Sequence, residues 1–340
     1  MQKLAMSRIG ELYTAIAEKR ALYLPIKEKG KVNFGKWQEG ARVSLDTLHT
    51  VQSPKDLFFP QSEDLVAFEM RGKEIKVSAP DVPDAPFVVF GVRACDAKSL
   101  EILDMVFLSE PVDTYYKARR ESGVVVSLAC TEPEETCFCT TFGIDPCAPK
   151  GDVSAWIAND TLYLEALTEK GEGLLSELPM LEPADKSETE KSVQTTKEVL
   201  KRLPLKDLKL DVFGAEATER LFDSPKWAEL SAACIGCGTC TFVCPTCQCY
   251  DIRDFDTGKG IERYRCWDSC MYSDFTMMAH GNPRKSQLER FRQRFMHKLV
   301  YFPANNNGEY SCVGCGRCVA KCPISMNIVK VIKELGAEKE

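Results

Sequence analysis

Eight cysteines fall into two runs that share one spacing. Each run reads C-x2-C-x2-C-x3-C-P, with the cysteines at Cys234, Cys237, Cys240 and Cys244 and at Cys312, Cys315, Cys318 and Cys322. Gaps of two residues let a tight turn present three thiolates to three irons, and the proline sends the chain away afterwards. Zinc knuckles and ribbons instead use paired C-x2-C motifs that are far apart. The spacing therefore predicts two [4Fe–4S] clusters and a chain that moves electrons.

The two runs are expected to share their ligands. In two-cluster ferredoxins the fourth cysteine of such a run binds the other cluster. By the same logic, the first cluster is held by Cys234, Cys237, Cys240 and Cys322. The second cluster is held by Cys312, Cys315, Cys318 and Cys244. Crossed ligation requires the two loops to pack together, so the sequence predicts two clusters close enough for rapid electron exchange.

A second set of cysteines follows the first run. Cys247 and Cys249 come directly after it, while Cys266 and Cys270 precede a basic segment. Four thiols in two close pairs suit a further iron–sulfur centre or a zinc ion. The alternative is that they are small buried side chains near a reduced metal site. The sequence leaves both interpretations open.

A third set lies in the N-terminal half, at Cys95, Cys130, Cys137 and Cys139. Cys95 and Cys130 each follow an apolar run typical of a buried strand, and adjacent parallel strands would bring both to one sheet edge. Open α/β sheets bind ligands outside the carboxyl ends of their strands. We favour a third [4Fe–4S] cluster here, with zinc or free thiols as alternatives and Asp96 as a candidate oxygen ligand.

Composition narrows the class of protein. The chain has 340 residues, 17 cysteines and a formal net charge of -6, and no apolar stretch approaches the length of a membrane span. Disulfide-rich secreted proteins are short and carry a signal peptide, whose apolar region is missing from the first ten residues. We therefore expect a cytoplasmic protein that is sensitive to oxygen. The acidic balance gives no case for nucleic-acid binding.

The elements that position the N-terminal cysteines are those of an α/β fold. Residues 86–91 and 123–129 are short apolar runs, and residues 99–106 between them have helical periodicity. This order predicts a βαβ unit with two parallel strands. We expect an N-terminal α/β domain over residues 1–185 and a linker with a helix over 186–220. Residues 221–340 are then the two-cluster domain.

The gap between the two cysteine runs favours a helical ferredoxin arrangement. About 67 residues, 245–311, separate the runs and are rich in helix formers. A helix is expected to begin at Asn282-Pro283, with an apolar stripe at Leu288, Phe291, Phe295 and Leu299. Its basic residues, among them Arg290, Arg294 and Lys298, suit a solvated face or a docking surface that also favours cluster reduction.

Several phrases around these cysteines resemble one family. They are residues 234–249, Trp267-Asp268-Ser269-Cys270, residues 292–298 and 312–319, and, in the N-terminal half, residues 91–97 and 129–139. Together they are similar to the family of the 4Fe–4S dicluster subunit of anaerobic sulfite reductase, which also contains the beta subunit of archaeal sulfhydrogenases. The resemblance implies an electron-transfer subunit beside a flavoprotein subunit that binds FAD and NAD(P). The terminal partner is a sulfite reductase, a hydrogenase or a similar catalytic redox module.

The sequence therefore predicts a relay subunit that is not catalytic alone. It contains no G-x-G-x-x-G phrase after a strand and no P-loop, so no flavin or nucleotide site is readable. The three histidines, His49, His280 and His297, are interpreted as structural. The alternative function is a reductase subunit in which one of the surplus cysteine sets holds a substrate-reducing centre.

Overall fold

A computed structural model describes residues 1–337 of the chain. Within these residues the strands are β1 (Gln2–Ala5), β2 (Ala21–Glu28), β3 (Lys31–Lys36), β4 (Ser62–Arg71), β5 (Glu74–Ser78), β6 (Phe87–Val92), β7 (Gly123–Leu128), β8 (Val153–Ala158), β9 (Thr161–Ala166), β10 (Glu182–Pro183), β11 (Tyr250–Asp256) and β12 (Gly260–Trp267). They form an eight-stranded sheet in the order β10-β1-β9-β8-β7-β6-β2-β3 and a four-stranded sheet in the order β11-β12-β4-β5.

The helices of the same residues are α1 (Ile9–Ala17), α2 (Lys55–Phe58), α3 (Ala94–Phe107), α4 (Thr114–Ser122), α5 (Glu169–Ser176), α6 (Ser187–Leu200), α7 (Thr218–Phe222), α8 (Lys226–Ala232), α9 (Thr239–Phe242), α10 (Gln287–Met296), α11 (Phe302–Asn305), α12 (Arg317–Lys321) and α13 (Ile328–Gly336). A π-helical turn, His297–Tyr301, continues α10. None of the described helices is both long and apolar enough to cross a membrane.

The centre of the large sheet is parallel and covered on both faces. β2, β6, β7 and β8 pair in parallel, and every residue of β6 and β7 is buried. Val88 and Phe90 pack with α1 and α5 on one face, while Phe87 and Val89 pack with α3 and α4 on the other. Burial on both faces explains the uninterrupted apolar runs. The predicted N-terminal α/β fold and its βαβ unit are confirmed.

The small sheet contains strands from both halves of the chain. β4 and β5 come from the N-terminal half, and β12 pairs with β4 along most of its length. The hairpin of β11 and β12 lies in the gap between the cysteine runs, where the sequence favoured helices. Glycines at Gly258 and Gly260 close its turn. Trp267 anchors the hairpin through Nε1, which donates to Phe59 O at 3.1 Å.

The C-terminal third is helical around its own core. Phe291, Phe295 and Leu299 of the predicted stripe are buried there with Val331 and Leu335 of α13, and Leu288 is partly buried. The helix starts at Gln287 and not at Pro283. Ser286 and Glu289 form a capping box, in which each side chain bonds the backbone N–H of the other, and this fixes the first turn there.

Contacts between elements cross both predicted boundaries, at residues 185 and 221. α6 packs on β8 of the large sheet, and the small sheet joins residues on both sides of the boundaries. The last three residues of the expected 221–340 domain, 338–340, lie outside the described residues.

Candidate iron–sulfur site

The two cysteine runs fold into matching loops. In each loop the two glycines, Gly236 and Gly238 or Gly314 and Gly316, have positive φ, between 57° and 79°. Glycine adopts this conformation without the strain that a side chain would add. The second glycine of each loop precedes a short helix, α9 in the first run and α12 in the second. These two helices pack together, so the loops are neighbours in space.

Four thiols line one cavity beneath the second loop. Its walls include Cys312, Cys315 and Cys318 of the second run together with Cys244, the fourth cysteine of the first. This is the set that crossed ligation predicts for one cluster. Cys312 and Cys315 lie three residues apart in the chain, whereas Cys244 reaches the cavity from a loop that only the packing of α9 and α12 brings near.

The first run lies closer to the surface. Cys237 is exposed, and the Cys234 sulfur accepts a hydrogen bond from Gln287 Nε2 at 3.3 Å. Burial raises the pKa of Cys240, and the charges of nearby Cys318 and Cys234 raise it further. Cys322 follows α12 and contacts Met326 O at 3.7 Å. Its assignment to the first cluster stays a prediction.

Burial controls the protonation of the free thiols. It raises the pKa of Cys240 to about 11 and that of Cys312 to about 12. Cys237 differs, because a hydrogen bond with Thr239 lowers its pKa. Cys240 and Cys312 therefore hold their protons at neutral pH, and iron must displace these protons when it binds.

Two residues of the basic segment face the thiols and not the solvent. Arg294 and Lys298 are each 2% exposed. They therefore belong neither to a solvated face nor to a docking surface, the two interpretations that the sequence offered. Arg294 Nη2 donates to Cys240 O at 2.9 Å, while its Nε and Nη1 have no oxygen or nitrogen acceptor. Lys298 Nζ donates to Thr246 Oγ1 and Ser311 O, both at 2.8 Å.

These buried cations fit an anionic cluster. Four thiolates outweigh the positive charge of an iron–sulfur core, so the ligated cluster is an anion. A buried guanidinium with two unpaired nitrogens needs such a neighbour, because an isolated buried charge is strongly destabilising. Burial lowers the pKa of Lys298, but the thiolates of Cys244, Cys247 and Cys312 more than offset that effect, and its pKa is raised. The donor set and its surroundings therefore suit a [4Fe–4S] cluster.

The surplus cysteines after the first run are only partly brought together. The Cys244 thiol hydrogen-bonds that of Cys247, which lowers the pKa of Cys244, and the Cys249 thiol hydrogen-bonds that of Cys270. Cys266 lies apart on β12, opposite Asp251 of β11. Burial raises its pKa, and the charged groups that act on it are Arg253, Asp251 and Asp268, not another cysteine. The structure therefore separates Cys266 from the rest of the predicted set.

The N-terminal cysteines meet at one edge of the large sheet. Cys95 is in the first turn of α3 after β6, and Cys130 follows β7, the parallel neighbour of β6. Burial raises the pKa of Cys139 to about 12, and the charges of nearby Cys130 and Cys137 contribute to the rise. Cys95 packs in one apolar cluster with Cys139 and Cys315. All four thiols thus lie near one another and near the second cluster loop.

Two side chains at this edge were not identified from the sequence as site residues. His49 Nε2 is 3.6 Å from Cys137 Sγ, while its Nδ1 is 2.9 Å from Glu134 Oε2. Arg93 is buried near Cys130 and Cys95, donates from Nη1 to Ala129 O at 2.9 Å, and leaves Nε without a partner. The separation of 88 residues between His49 and Cys137 hid that contact. Arg93, a charged residue directly after the apolar run, was the available signal in the sequence.

The loop that carries Cys137 and Cys139 is in direct contact with the second cluster loop. Phe138 N donates to Gly314 O at 2.9 Å, and a Cβ atom on Gly314 would lie 2.4 Å from Phe138 O. Arg317, between two cysteines of the second run, binds both carboxylate oxygens of Asp96 at 2.5 and 2.7 Å. Asp96 is therefore already engaged, which weakens its candidacy as an oxygen ligand.

None of the seventeen cysteines, all of which lie within the described residues, forms a disulfide. Within residues 1–337, no group of three or more His, Cys, Asp and Glu side chains is placed to share a single metal ion.

Comparisons with known proteins agree with this geometry. Residues 233–326 match the family of 4Fe–4S dicluster domains. Over 337 residues the chain is 32% identical to sulfhydrogenase 2 subunit beta of Pyrococcus furiosus, in a match that covers 98% of this chain and 97% of the relative. No solved structure matches the chain. The chain therefore belongs to the sulfhydrogenase beta subunit family, the family that its motifs indicated.

Proposed function

We propose that the chain is the iron–sulfur electron-transfer subunit of a multisubunit oxidoreductase. One observation carries the proposal: Cys244 and the distant Cys312, Cys315 and Cys318 line a single cavity within a 4Fe–4S dicluster domain. [4Fe–4S] clusters supply one-electron transfer at potentials that the protein sets through charge, hydrogen bonds and burial. The chain holds the ligands, excludes water around the second run, and brings the two loops together.

The proposed partners are a flavoprotein subunit that binds FAD and NAD(P) and a catalytic redox subunit. The relative is named as one subunit of a sulfhydrogenase, which supports an assembly of this kind. A sulfite reductase, a hydrogenase or a similar module is the proposed terminal partner, and the chain is not catalytic alone. Seventeen cysteines without a disulfide favour a reducing compartment, and we propose the cytoplasm.

We infer that residues 221–340 form a helical ferredoxin-type domain. The packing of α9 on α12 beneath the matching loops supports this arrangement, while the β11–β12 hairpin is an addition to it. We propose that the segments on either side of residues 185 and 221 bind different clusters. We do not propose that these segments fold independently, because the small sheet joins them.

We propose a third [4Fe–4S] cluster at Cys95, Cys130, Cys137 and Cys139. Buried Arg93, which forms no ion pair among the described residues, supports an anion at this edge. The contact of Cys95 and Cys139 with Cys315 in one apolar cluster supports electron exchange with the second run. Zinc remains the alternative for this set, and His49 beside Cys137 suits either metal.

A reductase subunit is the second candidate function. Cys247 lies beside Cys244, and Cys249 lies beside Cys270, while Cys266 is not among their neighbours. A centre held by Cys247, Cys249 and Cys270 would leave one position for a substrate. The separation of Cys266 is the observation that favours this alternative. A further iron–sulfur or zinc site with no substrate stays the other prediction for these thiols.

Anaerobic purification and a partner assay test the proposal. The isolated chain should contain at least about eight irons, two cubanes, accept electrons from dithionite and leave NADH unoxidised. Adding the co-purifying flavoprotein subunit should make NADH reduce the clusters, which EPR spectroscopy detects. A pure, flavin-free chain that oxidised NADH or reduced sulfite by itself would instead support the reductase alternative.

A further inference from the structure

Three buried cations from different parts of the chain converge on the Cys244–Cys247 segment. Lys55 of α2, Arg294 of α10 and Lys298 of the π-helical turn are each 2% exposed. Among the described residues, none of the ion pairs includes any of them. Arg317, which is equally buried, is paired with Asp96. Their counter-charge must therefore come from something other than a carboxylate.

Lys55 is held by the backbone of the thiol-bearing segment. Its Nζ donates to Cys247 O at 2.8 Å and to Cys244 O at 3.2 Å, and it lies 3.6 Å from the centroid of the Trp267 ring. Both contacts span about 190 residues of sequence, so only the folded chain delivers this charge. The indole face also favours a cation over a neutral side chain.

The ligand cysteines become anionic when they bind iron, and these cations share them. Arg294 and Lys298 line the same cavity as Cys244, Cys312, Cys315 and Cys318. Lys55 Nζ donates to the carbonyl of Cys244, the ligand that crosses from one run to the other.

We propose that Lys55, Arg294 and Lys298 are positioning residues that set the reduction potential of the centre bound by Cys312, Cys315, Cys318 and Cys244. The inference rests on the proposed function and deepens it. Reduction adds a negative charge where water is excluded, so fixed cations there stabilise the reduced state more than they would in water. Lys55 is the informative member, because the N-terminal half supplies it to a centre in the C-terminal half.

The test is potentiometric EPR on the full-length chain, purified without oxygen. The centre to follow is the one whose signal Cys312→Ala alters. Lys55→Met should lower the equilibrium constant for its one-electron reduction about tenfold, a fall of about 59 mV in reduction potential. Lys55→Arg should keep the wild-type potential to within a few-fold change in that equilibrium. Lys285→Met, which removes an exposed lysine from the segment before α10, should change nothing.

The outcomes separate this inference from the proposed function. A wild-type chain without iron–sulfur signals would defeat the proposed function itself. Loaded Lys55→Met protein with an unchanged potential, or with a shift confined to a different centre, would overturn only the inference. If Lys55→Met fails to assemble, Lys55→Gln keeps a donor for the two carbonyls without the charge. If the Arg variant assembles and the Gln variant does not, the site requires a positive charge at this position. If neither variant assembles, a requirement for charge is refuted.

Discussion

At the residue scale, the chemistry depends on which thiols share a centre. Cys244 lies in the first run but lines the cavity of Cys312, Cys315 and Cys318, so its loss should not affect the run in which it is found. Burial raises the pKa of Cys312, and the nearby cations stabilise the thiolates of this set once iron has displaced their protons.

Cys244→Ala and Cys312→Ala are expected to perturb the same centre. Removing one thiolate from a cubane leaves an iron without a protein ligand, so each variant should change the EPR spectrum of one cluster and spare the other. Cys147→Ala, which removes a buried thiol outside both runs, is the control. If Cys244→Ala instead changed the same signal as Cys234→Ala, ligation within each run would replace the crossed assignment.

At the element scale, the second cluster loop is fixed by its contact with the Cys137–Cys139 loop. Gly314 and Gly316 allow two backbones to approach, since a Cβ atom at either position would lie 2.4 Å from a carbonyl oxygen of Phe138 or Thr136. The glycines therefore serve the junction between the two loops as well as the turn of their own loop.

Gly314→Ala should lower both iron content and thermal stability. The positive φ alone costs about 1–2 kcal/mol for a residue with a side chain, and the overlap with Phe138 O adds to it. Gly173→Ala is the matched control, because this helical glycine of α5 has open space around it, and alanine there should stabilise the chain by roughly 0.5–1 kcal/mol. Iron analysis and melting temperatures compare the two variants. Full iron loading of Gly314→Ala would show that cluster binding does not depend on the close contact between the two loops.

At the scale of the whole molecule, the two halves are joined by the small sheet and by a buried ion pair. Arg317 of the second cluster loop binds Asp96 of α3 and also donates from Nε to Thr50 O at 2.9 Å. A fragment that ended near residue 186 would lose β12, the partner of β4, so binding to the N-terminal cysteines should be studied in the full chain.

Arg317→Met should destabilise the chain by about 3–5 kcal/mol, because Asp96 would be left as an uncompensated buried charge. Adding Asp96→Asn should recover part of that loss, and urea unfolding under anaerobic conditions measures both. Lys201→Met, which removes an exposed partner of Glu198, should leave the midpoint unchanged. Equal midpoints for Arg317→Met and Lys201→Met would contradict a role for the buried pair in joining the halves.

A double variant, Cys130→Ala with Cys139→Ala, tests the N-terminal centre in the full chain. It should contain about four irons fewer than the wild type, the content of one cubane. The EPR signals assigned to the two cysteine runs should persist. Unchanged iron together with a loss of zinc would assign a zinc site to these thiols, and no change in either metal would leave them as free thiols.

The sequence by itself determined the features that depend on local spacing. Three patterns each lie within a short stretch of sequence: the two cysteine runs, the apolar strands β6 and β7, and the stripe of Phe291, Phe295 and Leu299. Their periodicity reports directly on a turn, a buried strand or a helix face. The carboxyl ends of neighbouring parallel strands also predicted that Cys95 and Cys130 would meet, and the structure has them at one edge.

Only the tertiary structure decided which distant groups became neighbours. Lys55 lies beside Cys247 and His49 lies beside Cys137 across 192 and 88 residues of sequence. The β11–β12 hairpin was missed for the same reason, because its partner β4 lies in the other half of the chain. Strand pairing and the burial of a charge are set by what packs against a segment, and a local pattern does not contain that information.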